Sequence, residues 1–135
     1  MVKLRKFERM VLNMKKFNYK NYKDCYFIVG SYRANKEAIS ISIQNDDIGA
    51  IAICTMYIKD CLYSADMVTI KNYSENSHMT EFLMKLGIVI KVMKQFPCNP
   101  FVEDTLQTNN PQSIDVCFID KNKLKEYSKV WNYDV

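Results

Sequence analysis

Glycine, proline and histidine are scarce in this chain: its 135 residues include three glycines, three prolines and one histidine. So few glycines and prolines argue against long disordered or low-complexity tracts. The sequence has no glycine-rich phosphate cradle, which excludes a P-loop or a Rossmann turn. It also lacks G-x-S-x-G and C-x-x-C motifs. No apolar run approaches the roughly 20 residues that a membrane-spanning helix needs.

These absences leave little from which to build a catalytic centre. A nucleophile needs a base within hydrogen-bonding distance, and the only histidine, His78, lies in a polar stretch that has the composition of a helix start. We therefore expect an exposed, neutral His78 ring. Asp46 and Asp47 fall in a predicted tight turn, and a cation site would need further carboxylates. The sequence thus predicts a protein that is not an enzyme, with no catalytic, cofactor-binding or metal-binding residue.

The five cysteines are an odd number, and the first thirteen residues lack the uninterrupted apolar region of a signal peptide. Both observations are typical of a protein of the reducing cytoplasm, where thiols stay free and are mostly packed. We expect this for Cys25, Cys54, Cys61, Cys98 and Cys117.

The charge is uneven along the chain. The net charge is +4, but residues 1–23 hold eight basic residues against one glutamate, a net of +7, so the remainder carries −3. A basic N-terminal arm can attract phosphate backbones, and here it is interleaved with aromatic residues that suit base stacking. The alternative interpretation is a solvated segment with core aromatics. The residues that would contact nucleic acid are Lys3, Arg5, Lys6, Arg9, Lys15 and Lys16.

Apolar alternation predicts most of the strands. "DCYFIVGSY" (24–32), "AISISIQ" (38–44) and "AIAICTMYI" (50–58) indicate a three-stranded meander. A short edge strand is expected at 66–70, with an exposed edge that would allow dimerisation. Further strands are expected at 88–96 and 114–119, the last with Ile114, Val116 and Phe118 on one face.

Two helices complete the predicted fold. The first, at about 76–86, has Met79, Phe82, Leu83 and Leu86 on one face, capping residues among Ser74, Asn76 and Ser77, and a stop at Gly87. The second, at about 121–131, begins at Asp120 and packs Leu124, Tyr127 and Trp131. We predict an α+β fold in which one antiparallel sheet of about five strands carries both helices. Residues 1–13 would form a basic appendage to a single domain at 14–135.

Three segments together resemble a family of short uncharacterised proteins from phages and conjugative elements of gut and low-GC bacteria. They are "MKKFNYKNYKDCYFIVGSYRANKEAISISIQ", "AIAICTMYI" and "VTIKNYSENSHMTEFLMKLGIV". The shared pattern includes Asn35, Ala38 and Ile39 in the second strand and covers roughly residues 14–90. The resemblance carries no catalytic residue and no cofactor.

The resemblance implies a protein of a bacterial mobile element. Small proteins of such elements often inhibit host defence, as anti-CRISPR proteins do. We expect a monomer or homodimer in the bacterial cytoplasm that binds a host complex, such as an RNA-guided nuclease, and occludes it. The alternative is a nucleic-acid-binding accessory protein that uses the basic arm. Carboxylates and exposed tyrosines suit contacts with a basic partner surface; the predicted contact residues are Asp46, Asp47, Glu103, Asp104, Tyr32 and Tyr73.

Overall fold

The described part of the chain folds into two β-sheets and two short helices. A computed structural model describes residues 14–58, 66–97 and 113–134, and the side chains of 97 and 130–134 are outside that description. A 3-10 turn at Ser74–Asn76 precedes the first helix. The elements in chain order are β1 (Phe17–Tyr19), β2 (Tyr22–Tyr32), β3 (Asn35–Asn45), β4 (Gly49–Ile53), β5 (Met67–Asn72), α1 (Met79–Lys85), β6 (Val89–Pro97), β7 (Ser113–Ile119), α2 (Lys121–Glu126) and β8 (Ser128–Asp134).

Strand β2 is the centre of the first, five-stranded sheet. Antiparallel β3 lies along one edge of β2, and β4 follows β3. The other edge is shared by two strands: β1 pairs antiparallel with the start of β2, at Phe17↔Cys25, and β8 pairs parallel from Phe27↔Ser128 onward. The predicted meander is confirmed as β2, β3 and β4, although β4 ends at Ile53 rather than at residue 58.

The second sheet has three antiparallel strands in the order β5-β7-β6. Residues 54–56 cross between the sheets. The Cys54 N–H donates to Ile41 O in the first sheet at 2.8 Å, and the Met56 N–H donates to Thr69 O in the second at 3.0 Å. This crossing segment pairs with the outer edge of β5 through a bridge from Thr55 to Ile70, so the edge predicted as exposed at 66–70 is covered at its C-terminal end.

The core lies between the two sheets. β2 contributes Phe27 and Val29, β3 contributes Ile41 and Ile43, and the second sheet adds side chains of β5 and β7. Fully burying an aliphatic or aromatic side chain contributes about 1.5–3 kcal/mol. The strict alternation of "AISISIQ" therefore orients β3, because Ile39, Ile41 and Ile43 all face this core.

Helix α1 closes one end of the core with the predicted face, since Met79 and Leu83 are fully buried. Its start differs from the prediction. The Ncap is His78, in a left-handed conformation with φ +69° and no side-chain capping bond. The side-chain oxygen of Asn72, in β5, instead accepts the Thr80 N–H at 3.1 Å. Asn72 thus accepts an N–H of the first helical turn, the capping role that was predicted for Ser74, Asn76 or Ser77.

The end of α1 confirms the predicted stop. Gly87 has φ +80°, its N–H donates to Met84 O, and the Ile88 N–H donates to Leu83 O. These two bonds form a Schellman motif, which requires a left-handed residue after the helix and so favours glycine.

The predicted single antiparallel sheet and the helix at 121–131 are corrected. The strands form two sheets, and the first contains a parallel pair. Helix α2 begins after Asp120 as predicted but ends at Glu126. Just beyond this end, the Ser128 hydroxyl donates a 2.6 Å hydrogen bond to the Leu124 carbonyl oxygen. β-Branched and aromatic residues dominate positions 130–133 and favour a strand. That strand, β8, fills the remaining edge of β2.

The coarse prediction holds: the fold is mostly antiparallel sheet with two short helices, in keeping with an α+β class. The predicted appendage at 1–13 lies outside the described residues.

Candidate functional site

A polar cleft opens where α1 crosses the ends of β5, β6 and β7. It has a volume of about 300 Å³. We call it the Asp115 cleft, after the carboxylate of β7 that contributes to its lining. Its polar lining includes Asn72, His78, Thr80, Glu81, Gln95 and Asp115, and Met84 and Val92 form an apolar part of the wall.

Asp115 is 1% exposed and is held by two hydroxyl groups. The Thr80 hydroxyl donates to one carboxylate oxygen and the Ser113 hydroxyl donates to the other, both at 2.6 Å. Asn72 joins the group from β5, because its amide nitrogen lies 3.5 Å from the Ser113 hydroxyl. Hydrogen bonds to an ionised acceptor are short and about twice as strong as neutral ones. This network therefore joins β5, α1 and β7.

The rim of the cleft is exposed and carries His78 and Glu81. The His78 Nδ1 lies 3.3 Å from a Glu81 carboxylate oxygen, and both side chains are mostly in solvent. The expected exposed His78 ring is confirmed. The buried hydroxyl nearest the helix start, that of Thr80, donates to Asp115. The cleft thus presents the Glu81 carboxylate to solvent at its rim and keeps the Asp115 carboxylate buried at its floor.

The sequence interpretation missed Asp115 because it noted only that Ile114, Val116 and Phe118 share one face of β7. The opposite face carries Cys117 and Ile119, which belong to the core, and Asp115 shares that face. Ile114 and Phe118 are only half-buried. The available signal was the run of Asp115, Cys117 and Ile119 at a spacing of two.

A second candidate surface is the β6 edge, by which we mean strand Val89–Pro97. Within the described ranges β6 pairs with β7 alone, so its other edge has no strand partner there. Three large apolar side chains of β6 stand in solvent: Ile90 is 61% exposed, Met93 45% and Phe96 37%. Lys94 Nζ lies 4.7 Å from the centre of the Phe96 ring. An unpaired edge with exposed apolar groups is a typical surface for protein association.

Two of the predicted contact residues lie in the β3–β4 turn. Asp46 accepts a hydrogen bond of 2.8 Å from the Tyr26 hydroxyl, and Lys129 Nζ lies 3.6 Å from the same oxygen. The Tyr26 hydrogen bond and then the charge of Lys129 lower the pKa of Asp46. Burial, and then the bond to Asp46, raise the pKa of Tyr26 to about 12. Asp46 therefore ties this turn to β2 and β8, while Asp47 is exposed.

The predicted tyrosines lie elsewhere. The Tyr32 hydroxyl is 3.1 Å from that of Thr55, and its ring is 5.4 Å from the Tyr57 ring. Six residues along β2 separate Tyr32 from Tyr26, about 20 Å of extended chain, so Tyr32 and Asp46 lie at opposite ends of the β2–β3 pair. Tyr73 follows β5 and has Lys71 Nζ 5.3 Å from its ring centre. Glu103 and Asp104 lie outside the described residues.

Of the predicted nucleic-acid contacts, only Lys15 and Lys16 are described. Lys15 makes a 2.6 Å ion pair with Glu126, and its N–H donates to the Glu126 carbonyl. The Lys15 hydrogen bond is the main reason that the pKa of Glu126 is lowered. Lys16 is exposed. The remaining predicted positions, Lys3, Arg5, Lys6 and Arg9, are outside the description.

Three thiols are described, and all three are free and buried, as predicted: Cys25, Cys54 and Cys117. Burial raises the pKa of Cys117 to about 12 and also raises the pKa values of Cys25 and Cys54. A protonated thiol is a poor nucleophile and metal ligand. Across residues 14–58, 66–97 and 113–134, no cluster of three or more His, Cys, Asp or Glu side chains could hold a metal ion.

In the same ranges no helix is long and apolar enough to cross a membrane. Comparison with protein families, with curated proteins and with solved structures finds no match for this chain.

Proposed function

We propose that this protein is a non-enzymatic inhibitor that binds a protein complex of host defence and blocks it sterically. The β6 edge is the anchoring surface. The single observation that carries this proposal is the combination, on one strand, of an edge that no described strand pairs with and three exposed apolar side chains. The family resemblance of residues 14–90 supplies the setting, a mobile element of bacteria, and an RNA-guided nuclease complex as the partner.

The physical basis is strand addition. An extended segment of a partner can continue the three-stranded sheet by hydrogen bonding to β6, and its side chains can cover Ile90, Met93 and Phe96. Main-chain bonds supply affinity in this mode, while side-chain pockets supply specificity. The exposed Lys91 and Lys94 flank the apolar groups, so the partner segment would be apolar with nearby carboxylates.

The residues proposed for occlusion are not residues of the β6 edge. Asp46, Asp47, Glu103, Asp104, Tyr32 and Tyr73 remain the proposed contacts to a basic nucleic-acid channel. Asp46 carries its charge in an ordered turn because Tyr26 and Lys129 hold its carboxylate. A preordered charged group loses less conformational freedom on binding than a free one.

The test combines capture and activity. Tagged protein is incubated with lysate of the bacterial host, bound proteins are identified by mass spectrometry, and phage targeting by the RNA-guided nuclease is measured in cells. We expect the native chain to co-elute with the nuclease complex and to reduce targeting. Replacement of Ile90 and Met93 by Glu should abolish both effects, because charges would enter the apolar contact.

The chain offers a matched control in Ile53, which is as exposed as Ile90, at 61%, but lies on β4 of the other sheet. Ile53→Glu should behave as native, and circular dichroism confirms that each variant folds. If native protein captures no defence complex and leaves targeting unchanged, the proposed function is wrong. If Ile90→Glu with Met93→Glu remains active, the function stands but the β6 edge is not the anchor.

Deletion of residues 1–13 and a salt titration distinguish the proposed function from the alternative, nucleic-acid binding by the basic arm. Removal of residues 1–13 should leave capture and inhibition intact. A phosphate-held complex would instead lose affinity with a slope of log K against log salt of about −0.9 per phosphate on duplex DNA. Such a slope, lost on deletion, would establish the alternative.

A further inference from the structure

Asp115 is a buried carboxylate whose two side-chain hydrogen-bond donors are both neutral. Thr80 and Ser113 donate through hydroxyl groups, and no lysine or arginine within the described ranges forms an ion pair with it. A charge taken out of water is costly unless an opposite charge compensates it. A carboxylate offers about four acceptor positions, and these two bonds use half of them. The network therefore leaves capacity for a cationic donor.

The walls of the Asp115 cleft carry a further carboxylate and an apolar strip. Glu81 adds a second carboxylate at the rim, while no lysine or arginine among the described residues lines the cleft. Met84 and Val92 provide an apolar strip beside these acceptors. The volume of about 300 Å³ is at the small end of the range for ligand sites. A cationic head on a short alkyl stem fits this combination, because methylenes can pack on the strip while the head reaches the carboxylates.

We propose that the Asp115 cleft binds an alkylguanidinium or alkylammonium group. The group belongs either to a small free ligand or to an arginine or lysine side chain of a bound protein. Asp115 is the acceptor at the floor, Glu81 adds charge at the rim, and Thr80 and Ser113 hold the Asp115 carboxylate in position. This site goes beyond the proposed inhibitory function; it uses Val92 and Gln95 of β6 but not the exposed Ile90, Met93 and Phe96.

The test is a titration of the full chain, labelled with ¹⁵N, followed by the amide signals of the cleft residues. Butylguanidinium represents a free ligand, the amide of N-acetylarginine represents a protein side chain, and butylurea is the neutral analogue of similar shape. We expect the two cations to shift the signals of Thr80, Gln95 and Asp115, and butylurea to leave them in place. Asp115→Asn should weaken binding about tenfold or more, since one charged hydrogen bond to the ligand is lost.

Asp47→Asn is the matched control, because it removes an exposed carboxylate in the β3–β4 turn that does not line the cleft; it should bind as native. If Asp115→Asn fails to fold, Glu81→Gln replaces it, with weakening of about twofold or more expected from the exposed rim charge. Tighter binding of the arginine derivative would identify a partner side chain as the source, and tighter binding of butylguanidinium a free ligand. Unshifted cleft signals with both cations, equal binding of butylurea, or native affinity in the carboxylate variant would overturn the proposal. Each of these results is independent of whether the chain inhibits a defence complex.

Discussion

Replacing Thr80 by valine tests whether the buried network around Asp115 stabilises the fold. Valine keeps the volume and branching of threonine but replaces the hydroxyl that donates to Asp115 at 2.6 Å. Both residues are buried, so water does not readily replace the lost donor. A hydrogen bond to a charged acceptor contributes about 1.5–3 kcal/mol. Because Ser113 still donates to the other oxygen, we expect a loss near the middle of that range, about 2 kcal/mol.

The measurement is urea denaturation followed by circular dichroism. The midpoint should fall while the slope m stays constant, since the same surface is exposed on unfolding. Thr80→Ser is the control that keeps the hydroxyl and removes one methyl group, at a cost of about 0.8 kcal/mol. The valine variant should therefore be less stable than the serine variant by more than about 1 kcal/mol.

A double-mutant cycle with Asp115→Asn isolates the pair. Residues in one hydrogen-bond network show coupling of about 0.5–3 kcal/mol, whereas independent positions are additive. If Thr80→Val costs no more than Thr80→Ser, or if its effect adds to that of Asp115→Asn without coupling, the reasoning about this network is refuted.

Two further predictions concern the flanks of α1. Gly87→Ala should cost about 1–2 kcal/mol of unfolding free energy, because φ at Gly87 is +80°, while an added Cβ would make only ordinary contacts with Lys123. In the same denaturation assay Gly87→Asn should cost less, and equal losses for the two variants would contradict this. The pKa of Glu75 is lowered to about 2, first by the Ser74 hydrogen bond and then by Lys71, so carboxyl NMR should show a midpoint near that value. Its stabilising contribution is then present above the ordinary carboxyl pKa and lost as pH falls toward 2, and a midpoint that stays ordinary would refute the assignment.

The strands with one apolar face were predictable because their local pattern agrees with their final environment. Ile39, Ile41 and Ile43 alternate with serines, and only one orientation buries all three. The same holds for α1, where Met79 and Leu83 share a face and Gly87 supplies the left-handed stop. In these segments burial and backbone preference favour the same structure, so neither depends on knowledge of distant residues.

The C-terminal segment shows where local pattern fails. Leu124, Tyr127 and Trp131 recur at helical spacing, and this spacing predicted a helix through residue 131. The chain leaves the helix after Glu126 because β2 offers backbone groups along an edge that β1 covers only at its start. Pairing with β2 satisfies a row of N–H and C=O groups that would otherwise be unpaired in the sheet. This stabilisation depends on β2, a strand about a hundred residues earlier, so the local sequence around residue 131 does not reveal it.

The Asp115 cleft was hidden for a related reason. Its members come from β5, α1, β6 and β7, and Thr80 and Asp115 are 35 residues apart. Strand β7 is apolar on both faces, so alternation alone did not decide which face is inward. The register does decide it: Asp115 lies opposite Ile70 and Cys117 opposite Val68, and both β5 residues belong to the core. A polar residue on the core face of a strand is visible only once the strand partner is known.

The second sheet has two outer edges, those of β5 and β6, and they differ in whether another strand can pair with them. The sequence indicated β5 as an exposed edge for dimerisation, but Thr55 pairs with Ile70 on that edge, and in the second sheet β6 is the strand whose outer edge has no described strand partner. In one register of self-pairing, an antiparallel pair centred between Val92 and Met93, Lys91 of each copy would lie opposite Lys94 of the other, and like charges directly opposite are destabilising. The partner segment proposed above avoids this repulsion, because it would bring carboxylates to these lysines.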